Sequence, residues 1–257
     1  MSDAIDLAII GGTGLYQLAA LESPQALEAD TRYGKPSGPL RVGMLDGRRV
    51  AFLARHGESH SVAPHRINYR ANIRALVDAG VRCIVAVNAV GGITEAMAPR
   101  VLALPDQLID YTHGRIASFC DEDGADVVHV DFGDPYDASL RQKLVDAAQA
   151  ADVALVDGGV YGCTQGPRLE TSAEIERMRR DGCDLVGMTG MPEAALAREA
   201  GIPYVSLCII ANWAAGCDPA VYQDAPPEIT MQEVLDNVSA ATAQVPALLR
   251  ALLSRLD

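Results

Sequence analysis

Short apolar runs that end in glycine-rich or polar tips alternate with amphipathic segments along the chain. Leu7–Ile10 is a continuous apolar run that ends in Gly11–Gly14, and Ile84–Val87 is another that ends in Asn88–Gly92. Continuous apolar runs of this length are typical of strands that are buried on both faces of a sheet. Strands that alternate with helices predict an α/β fold, with helices covering a central sheet.

Local signals place helices between these runs. His65–Ala79 has helical apolar spacing and lies between a proline and a glycine, which predicts a helix. Residues 171–174 read Thr-Ser-Ala-Glu, a capping-box sequence that predicts the start of another helix. Residues 230–256 predict one long terminal helix. Because no repeat or linker interrupts the pattern, we expect residues 1–257 to form a single three-layer α/β domain.

The charge balance excludes some classes of partner. The chain has 21 Lys and Arg residues against 34 Asp and Glu residues, a formal net charge of −13. This charge repels nucleic acid and anionic membrane surfaces, and the sequence has no basic patch to counter it. The apolar runs are too short to span a bilayer, the start lacks the basic region of a signal peptide, and the 6 cysteines form no CxxC pair. We therefore expect a cytoplasmic protein with reduced thiols and no nucleic-acid or membrane partner.

Polar residues follow the apolar runs directly, at the points where the predicted strands end. These tips are residues 11–14, 55–57, 88–92, 189–190 and 212. In α/β sheets, ligands usually bind beyond the carboxyl ends of the strands. We therefore expect these tips to share one binding pocket.

The glycine-rich tip favours a single phosphate group over a dinucleotide. Gln17 stands where the dinucleotide fingerprint has its third glycine, and the Gly-Lys-Ser/Thr of a nucleotide-binding loop is absent from the sequence. Backbone N–H groups and the Thr13 hydroxyl can still bind one phosphate. Arg55 offers a guanidinium fork for a phosphate or carboxylate, and His56 offers a second donor. Each of these signals alone also fits an ordinary turn or surface residue.

The histidines do not predict a metal site. His56, His60 and His65 lie close together in the sequence, but their spacing converges on a metal only within a helix. Gly57 and Pro64 favour a loop instead. We therefore expect the protein to bind no metal.

Six short segments resemble the trimeric purine nucleoside phosphorylase and methylthioadenosine phosphorylase family, in that family's order. They are Ile10–Leu15, Ala54–Gly57, Asn68–Asn72, Asn88–Gly92, Gln165–Thr171 and Gly187–Glu193. The resemblance covers nearly the whole chain and implies that family's fold, with a mixed central sheet flanked by helices. It also implies a homotrimer and phosphorolysis of a nucleoside to free base and pentose 1-phosphate. Inorganic phosphate is the co-substrate, and no cofactor is expected.

The resemblance implies a role for each matched position. The expected phosphate-binding residues are Thr13, Arg55, His56, Asn88, Ala89 and Thr189. The expected nucleoside-binding residues are Ala89, Val90, Gly91, Leu169, Glu170, Met188, Asn212, Met231 and Leu235, with His129 reaching in from a neighbouring subunit. Asn212, Glu170 and His56 are the expected catalytic residues. Leu169 departs from the family pattern, which usually has Phe there, so an aromatic contact with the base is lost.

Two polar residues predict a 6-oxopurine base. Ionised Glu170 can accept the N1–H that hypoxanthine and guanine carry and adenine lacks, while the Asn212 amide can bind O6 or N7. Outside the family context, Glu170 also fits an acid favoured by a helix N-terminus, and Asn212 fits a turn residue. The sequence does not distinguish hypoxanthine from guanine.

The predicted terminal helix carries two candidate residues for the pocket around the sugar of the nucleoside. Met231 and Leu235 are four residues apart and share one helix face, which fits core packing as well as a ligand pocket. Ordinary purine nucleoside phosphorylases have a histidine at the position of Met231, so the resemblance favours an apolar pocket for a 5′-methylthio group. We expect phosphorolysis of S-methyl-5′-thioinosine. Alternatives are a general inosine and guanosine phosphorylase, a methylthioadenosine phosphorylase, a non-catalytic nucleoside-binding module and a dinucleotide-dependent oxidoreductase, which the missing third glycine disfavours.

Overall fold

A computed structural model of the chain describes residues 4–12, 21–121, 126–219 and 229–256, without the side chain of Met231. In this part of the chain, eleven strands form one mixed sheet. The strands are β1 (Leu7–Gly11), β2 (Glu22–Leu27), β3 (Leu40–Leu45), β4 (Arg48–Ala54), β5 (Ile84–Gly92), β6 (Leu102–Leu104), β7 (Gln107–Asp110), β8 (Leu155–Asp157), β9 (Val160–Cys163), β10 (Leu185–Gly187) and β11 (Tyr204–Trp213).

Helices flank this sheet. They are α1 (Tyr69–Asp78), α2 (Ala138–Ala150), α3 (Ser172–Arg180), α4 (Glu193–Glu199), α5 (Met231–Thr242) and α6 (Val245–Leu253), with short 3₁₀ turns at Pro64–Arg66 and Glu95–Met97. α5 packs on β11, while α6 packs on α2. No helix within the described residues is both long and apolar enough to cross a membrane. The mixed α/β fold that the sequence predicts is confirmed.

β5 is the branch point of the sheet. β11 pairs in parallel with one edge of β5 along residues 84–92. On the other edge, β1 pairs in parallel with residues 84–86, and β10 then pairs antiparallel with residues 91–92. Residues 87–90 therefore lie in a gap between β1 and β10, and this gap opens the sheet for a ligand.

Some predicted boundaries were wrong. The sequence predicts that the strand after Cys83 breaks at Asn88, but β5 continues to Gly92 because β11 pairs with it throughout. The helix predicted from His65 starts at Tyr69, where the Asn68 side chain caps it by accepting from the backbone N–H of Ala71.

The terminal helix is divided into two parts, α5 and α6. Pro246 lies in the first turn of α6 and has no backbone N–H to continue a preceding helix. The capping box predicted at the start of α3 is confirmed, since Thr171 and Glu174 each bond to the other's backbone. The predicted hairpin around Asp46 is also present, as β3 and β4.

Candidate active site

A cavity of about 730 Å³ opens at the gap beside β5. Its volume is typical of sites for small organic ligands. The tips of β1, β4, β5, β10 and β11 all contribute to its lining, as the strand-end pattern predicts. Their residues in the lining include Gly12, Arg55, His56, Asn88, Ala89, Val90, Gly91, Met188, Thr189 and Asn212.

The backbone of Ala89 faces this gap. Every second residue of a strand turns its backbone groups to the same edge. Ala8 N donates to Cys83 O at 2.9 Å, and Arg55 Nη1 donates to Val87 O at 3.2 Å, so odd-numbered residues of β5 face the β1 edge. Ala89 is the next in this series and lies beyond the last residue that β1 pairs. Its N–H can therefore bind an anion in the cavity.

Arg55 is held by a buried carboxylate. Its Nε and Nη2 donate to the two oxygens of Glu193, each at 2.8 Å, and Tyr204 Oη donates to Glu193 Oε1 at 2.9 Å. Burial acts to lower the pKa of Arg55, but the Glu193 carboxylate outweighs it and raises that pKa above its usual value. The guanidinium therefore stays charged, and Nη1 faces the cavity beside Gly12.

His56 is neutral at neutral pH. Burial, with a smaller contribution from the charge of Arg55, lowers the pKa of the imidazole to about 4. Its Nδ1 lies 2.8 Å from Val62 O, so the neutral ring donates there and leaves Nε2 as an acceptor, not the second donor that the sequence predicts. The edge that carries Nε2 lies beside Gly12 and faces the cavity. No group of three or more metal-binding side chains occurs among residues 4–12, 21–121, 126–219 and 229–256.

Thr189 and Asn88 are joined by a hydrogen bond in the cavity wall. Thr189 Oγ1 donates to Asn88 Oδ1 at 2.9 Å, and Asn88 Nδ2 donates to Ser206 Oγ at 2.7 Å. Both predicted phosphate residues therefore belong to one buried polar group. Thr13, also predicted for this site, lies outside the described residues.

The residues predicted to bind the base also line the cavity. Asn212 follows a bulge at Ala211, where the pairing of β11 with β5 shifts by one residue. Its Nδ2 donates to Trp213 O at 2.6 Å. Glu170 Oε1 accepts from Thr164 Oγ1 at 2.6 Å. The Thr164 hydroxyl thereby orients the carboxylate, whose other oxygen can accept from an N–H on a ligand.

Apolar side chains complete the lining. Met188 lies directly after β10, and Leu235 projects from α5 beside Val234. Leu169 and Leu235 are 53% and 40% exposed although both line the cavity, so a ligand can bury them. Met231 begins α5, but its side chain lies outside the description, so the predicted pair with Leu235 stays a prediction.

His129 lies outside the lining of this cavity. It stands in the irregular, exposed segment at residues 126–131, where Val127 is 72% exposed. Its expected position over the sugar of a neighbouring subunit stays a prediction.

Sequence reasoning gave no role to Glu193 or Arg115. Arg115 donates to the carbonyl oxygens of Thr164, Gln165 and Met188 at 2.8–3.2 Å, and so joins the base end of the cavity to the segment after β10. Glu193 ends the matched segment Gly187–Glu193, but no local signal gives either residue a role, because their partners lie far away in the chain. A pairing of Arg55 with Glu193 spans 138 positions.

Comparisons with known proteins show which family the chain resembles in sequence and fold. The sequence profile of the "Phosphorylase superfamily" matches residues 6–254. A probable S-methyl-5′-thioinosine phosphorylase of Xanthomonas campestris pv. campestris is 63% identical over 98% of both chains. A probable 6-oxopurine nucleoside phosphorylase of Thermococcus kodakarensis is 41% identical over 95% of this chain and 90% of that protein. The crystal structure of a methylthioadenosine phosphorylase from an antarctic soil metagenomic library is 37% identical, with a TM-score of 0.87 over 99% of this chain and 87% of that one.

The match extends over almost all of both the sequence and the fold, and it includes every strand tip that lines the cavity. The chain belongs to the phosphorylase superfamily.

Proposed function

We propose that the protein is a pentosyltransferase that cleaves S-methyl-5′-thioinosine with inorganic phosphate. The products are hypoxanthine and 5-methylthioribose 1-phosphate, a purine-salvage reaction. The observation that carries the proposal is that one cavity is lined by anion-binding residues (Arg55 and Thr189), by polar residues suited to a base (Glu170 and Asn212) and by the apolar Leu235. The name of the 63%-identical relative supports the same substrate.

The anion end suits a phosphate that must remain nucleophilic. The positive charge of Arg55 is balanced by Glu193, so the site offers directed donors with little net charge. Free Nη hydrogens of Arg55, the Ala89 N–H and the Thr189 hydroxyl are the proposed donors, with Thr13 added from sequence. Strong net positive charge would stabilise the phosphate dianion in the ground state and slow its attack.

The base end suits a 6-oxopurine. Glu170, oriented by Thr164, would accept the N1–H of hypoxanthine. Adenine has no hydrogen at N1 and would face this acceptor with another acceptor, which leaves buried groups unpaired at a cost of about 1–3 kcal/mol each. Asn212 would turn its amide from Trp213 O toward the O6 or N7 of the base.

The reaction proceeds through a sugar with oxocarbenium character. The N-glycosidic bond breaks, its electron pair leaves with the purine, and a phosphate oxygen bonds to the anomeric carbon from the opposite face. Asn212 would stabilise the negative charge that develops on the purine, which then takes up a proton. Such a donor lowers the barrier because it binds the transition state more strongly than the substrate. The reaction needs no covalent enzyme intermediate, metal or cofactor.

The 5′ end of the sugar is assigned to the apolar part of the cavity. Val234 and Leu235 on α5 line it, and Met231 begins the same helix. A methylthio group gains roughly 1–3 kcal/mol by burial against such side chains, whereas a 5′-hydroxyl without a partner there is disfavoured. Met188 is assigned to the sugar, and Val90, Gly91 and Leu169 to the walls around the base.

A cytoplasmic homotrimer is the proposed assembly. Val127 and Val128 directly precede His129 and are exposed, and exposed apolar patches often mark subunit interfaces. In the trimer, His129 would reach the 5′ end of a neighbouring subunit's substrate.

A general 6-oxopurine nucleoside phosphorylase is the second candidate, supported by the name of the 41%-identical relative. The two functions are distinguished by comparing kcat/KM for S-methyl-5′-thioinosine and inosine at saturating phosphate. We expect the thioinosine to be favoured. A preference for inosine would select the second candidate, and base release that does not depend on phosphate would contradict both.

A further inference from the structure

A series of hydrogen-bonded polar side chains leads from the cavity wall into the core. It begins with the hydrogen bond from Thr189 to Asn88 and continues with the bond from Asn88 to Ser206. Thr189 and Asn88 both line the cavity, whereas Ser206 behind them is 0% exposed. β5 and β11 carry Asn88 and Ser206, so the pairing of these strands fixes the distance between them.

Beyond Ser206 lies a phenol without a partner. The Tyr136 hydroxyl is buried and makes no hydrogen bond to any residue in the described part of the chain. Its ring stacks on Tyr204, with the ring centroids 6.3 Å apart. Tyr204 and Ser206 are two residues apart on β11, so the Tyr136 ring that stacks on Tyr204 lies on the strand face that carries Ser206. Burial raises the pKa of the Tyr136 phenol well above its usual value. A buried hydroxyl without a partner is destabilising. A second arrangement of these hydrogen-bonded side chains can give the Tyr136 hydroxyl a partner.

The present arrangement turns the Thr189 proton away from the cavity. A threonine hydroxyl has one proton, and Thr189 gives it to Asn88 Oδ1. The hydroxyl therefore presents only lone pairs to the cavity, which repel the oxygens of an anion. The Asn88 amide has nearly the same shape after a half-turn, with its oxygen and nitrogen exchanged.

We propose that these side chains form a hydrogen-bond relay that reverses when an oxyanion binds. In the reversed state, Tyr136 donates to Ser206, and Ser206 donates to Asn88. Asn88 then donates to Thr189, whose own proton points to the oxyanion. The orphaned phenol becomes a donor at one end of the relay, and the cavity gains a donor at the other.

The reversal needs only hydroxyl and thiol rotations and one amide turn, so no covalent bond breaks. Besides the bonds that change direction, the turn gives up the contact from Asn88 Nδ2 to Ala86 O, which at 3.5 Å is at the limit for a hydrogen bond. Ser206 Oγ also lies 3.4 Å from Cys208 Sγ, and in the reversed state the thiol is the donor of that contact. The inference rests on the proposed function, because the oxyanion is the phosphate co-substrate. Tyr136 and Ser206 are thus positioning residues for phosphate that do not touch it.

Tyr136→Phe tests the relay with a minimal change. The variant keeps the ring that stacks on Tyr204 and removes a hydroxyl that has no partner in the present arrangement. A merely structural role predicts unchanged or higher thermal stability and an unchanged KM for phosphate. The relay predicts that the KM for phosphate rises about three- to tenfold, since the reversed state loses one hydrogen bond. The KM for the nucleoside should stay the same.

Two further variants complete the experiment. Ser206→Ala removes the central donor, and we expect at least as large a rise in the KM for phosphate. Tyr111→Phe is the matched control, because the Tyr111 hydroxyl donates to Asp181 at 2.8 Å and the residue does not line this cavity. We expect its KM for phosphate to equal that of the wild type.

Calorimetry with inorganic phosphate, in the absence of nucleoside, gives a readout that does not depend on turnover. Weaker phosphate binding by Tyr136→Phe and Ser206→Ala, but not by Tyr111→Phe, supports the relay. Equal phosphate binding and equal KM in all four proteins would overturn the relay and leave the proposed function standing. A wild type that binds phosphate but does not cleave nucleosides with it would overturn the proposed function instead.

Discussion

The Arg55 guanidinium and the Glu193 carboxylate form a bidentate ion pair at the anion end of the cavity. Both N–O distances are 2.8 Å, and both side chains are almost completely buried. Tyr204 adds a third hydrogen bond to the carboxylate. The cation that the sequence assigns to phosphate is therefore already balanced by an anion before any ligand enters.

Glu193→Gln should destabilise the fold. The variant keeps the side-chain shape but places an amide donor against one guanidinium donor and leaves Arg55 buried without a counter-charge. We expect a loss of about 3–5 kcal/mol in the free energy of unfolding, measured in urea. Glu176→Gln is the control, because Glu176 pairs with Arg179 at the surface and should cost less than about 1 kcal/mol. Equal effects of the two substitutions would contradict a structural role for the buried pair.

Asn212→Ala should lower kcat as well as kcat/KM. If the amide stabilises the departing purine anion, its loss removes an interaction that is strongest in the transition state. Such losses typically cost about 2.7–4 kcal/mol, or roughly 100- to 1000-fold in kcat. Steady-state kinetics on S-methyl-5′-thioinosine measure the effect. A raised KM with unchanged kcat would restrict Asn212 to substrate binding.

Thr164→Val should weaken the choice between 6-oxo and 6-amino purines. The substitution keeps the side-chain shape and removes the hydroxyl that holds Glu170 at 2.6 Å. We expect the ratio of kcat/KM for S-methyl-5′-thioinosine over S-methyl-5′-thioadenosine to fall about tenfold.

Thr94→Val is the matched control for Thr164→Val, because the Thr94 hydroxyl bonds to Asp184 and the residue does not line this cavity. It should leave the ratio unchanged. A wild type that uses the 6-amino nucleoside equally well would contradict the base assignment itself.

Leu235→Ser should reduce the preference for a 5′-methylthio group. We expect the wild type to favour S-methyl-5′-thioinosine over inosine by about 10- to 1000-fold in kcat/KM. A hydroxyl at position 235 loses apolar contact and offers the 5′-hydroxyl of inosine a partner, so the preference should fall about tenfold. Leu27→Ser, on the exposed edge strand β2, changes the same side chain outside the cavity and should have no effect. An unchanged preference in Leu235→Ser would place the 5′ group elsewhere.

His56 should make stability depend on pH. Burial lowers its pKa from 6.5 to about 4, so between these values the unfolded chain binds a proton that the native protein does not. The contribution of His56 is therefore complete above about pH 6.5 and is lost as the pH falls toward about 4, a total on the order of 3 kcal/mol. Urea unfolding at pH 7 and pH 5 measures it. His56→Gln, which does not titrate, should lose less stability over this range; an equal loss would contradict the assignment.

Short-range signals predicted the parts of the fold that depend on neighbouring residues. The capping box at Thr171 and Glu174 forms as expected, because both partners lie within one helical turn. The strand break expected at Asn88 was wrong, since its glycine-rich sequence resembles a turn while β11 supplies a complete partner edge. The length of β5 was decided by its pairing with β11, and the local sequence of β5 carries no information about that partner.

In the candidate site, too, the sequence predicted local features but not contacts between remote residues. The sequence predicted which strand tips meet, because parallel strands in an α/β sheet bring their carboxyl ends to one side. It gave no role to Glu193, because the local sequence does not show which residue this acid pairs with. Its partner Arg55 lies 138 positions away and is brought to it only by the folded sheet.

The sequence by itself therefore determined the order of strands and helices, the family, and the residues at the strand ends, because hydrophobic periodicity and short motifs are local properties. The tertiary structure decided how the charges and hydrogen bonds of the site are paired. The branch at β5 opens the gap that exposes Ala89, buries Arg55 against Glu193 and aligns Thr189 with Asn88 and Ser206. Such pairings depend on burial and on distances between remote segments, which come into existence only when the chain folds.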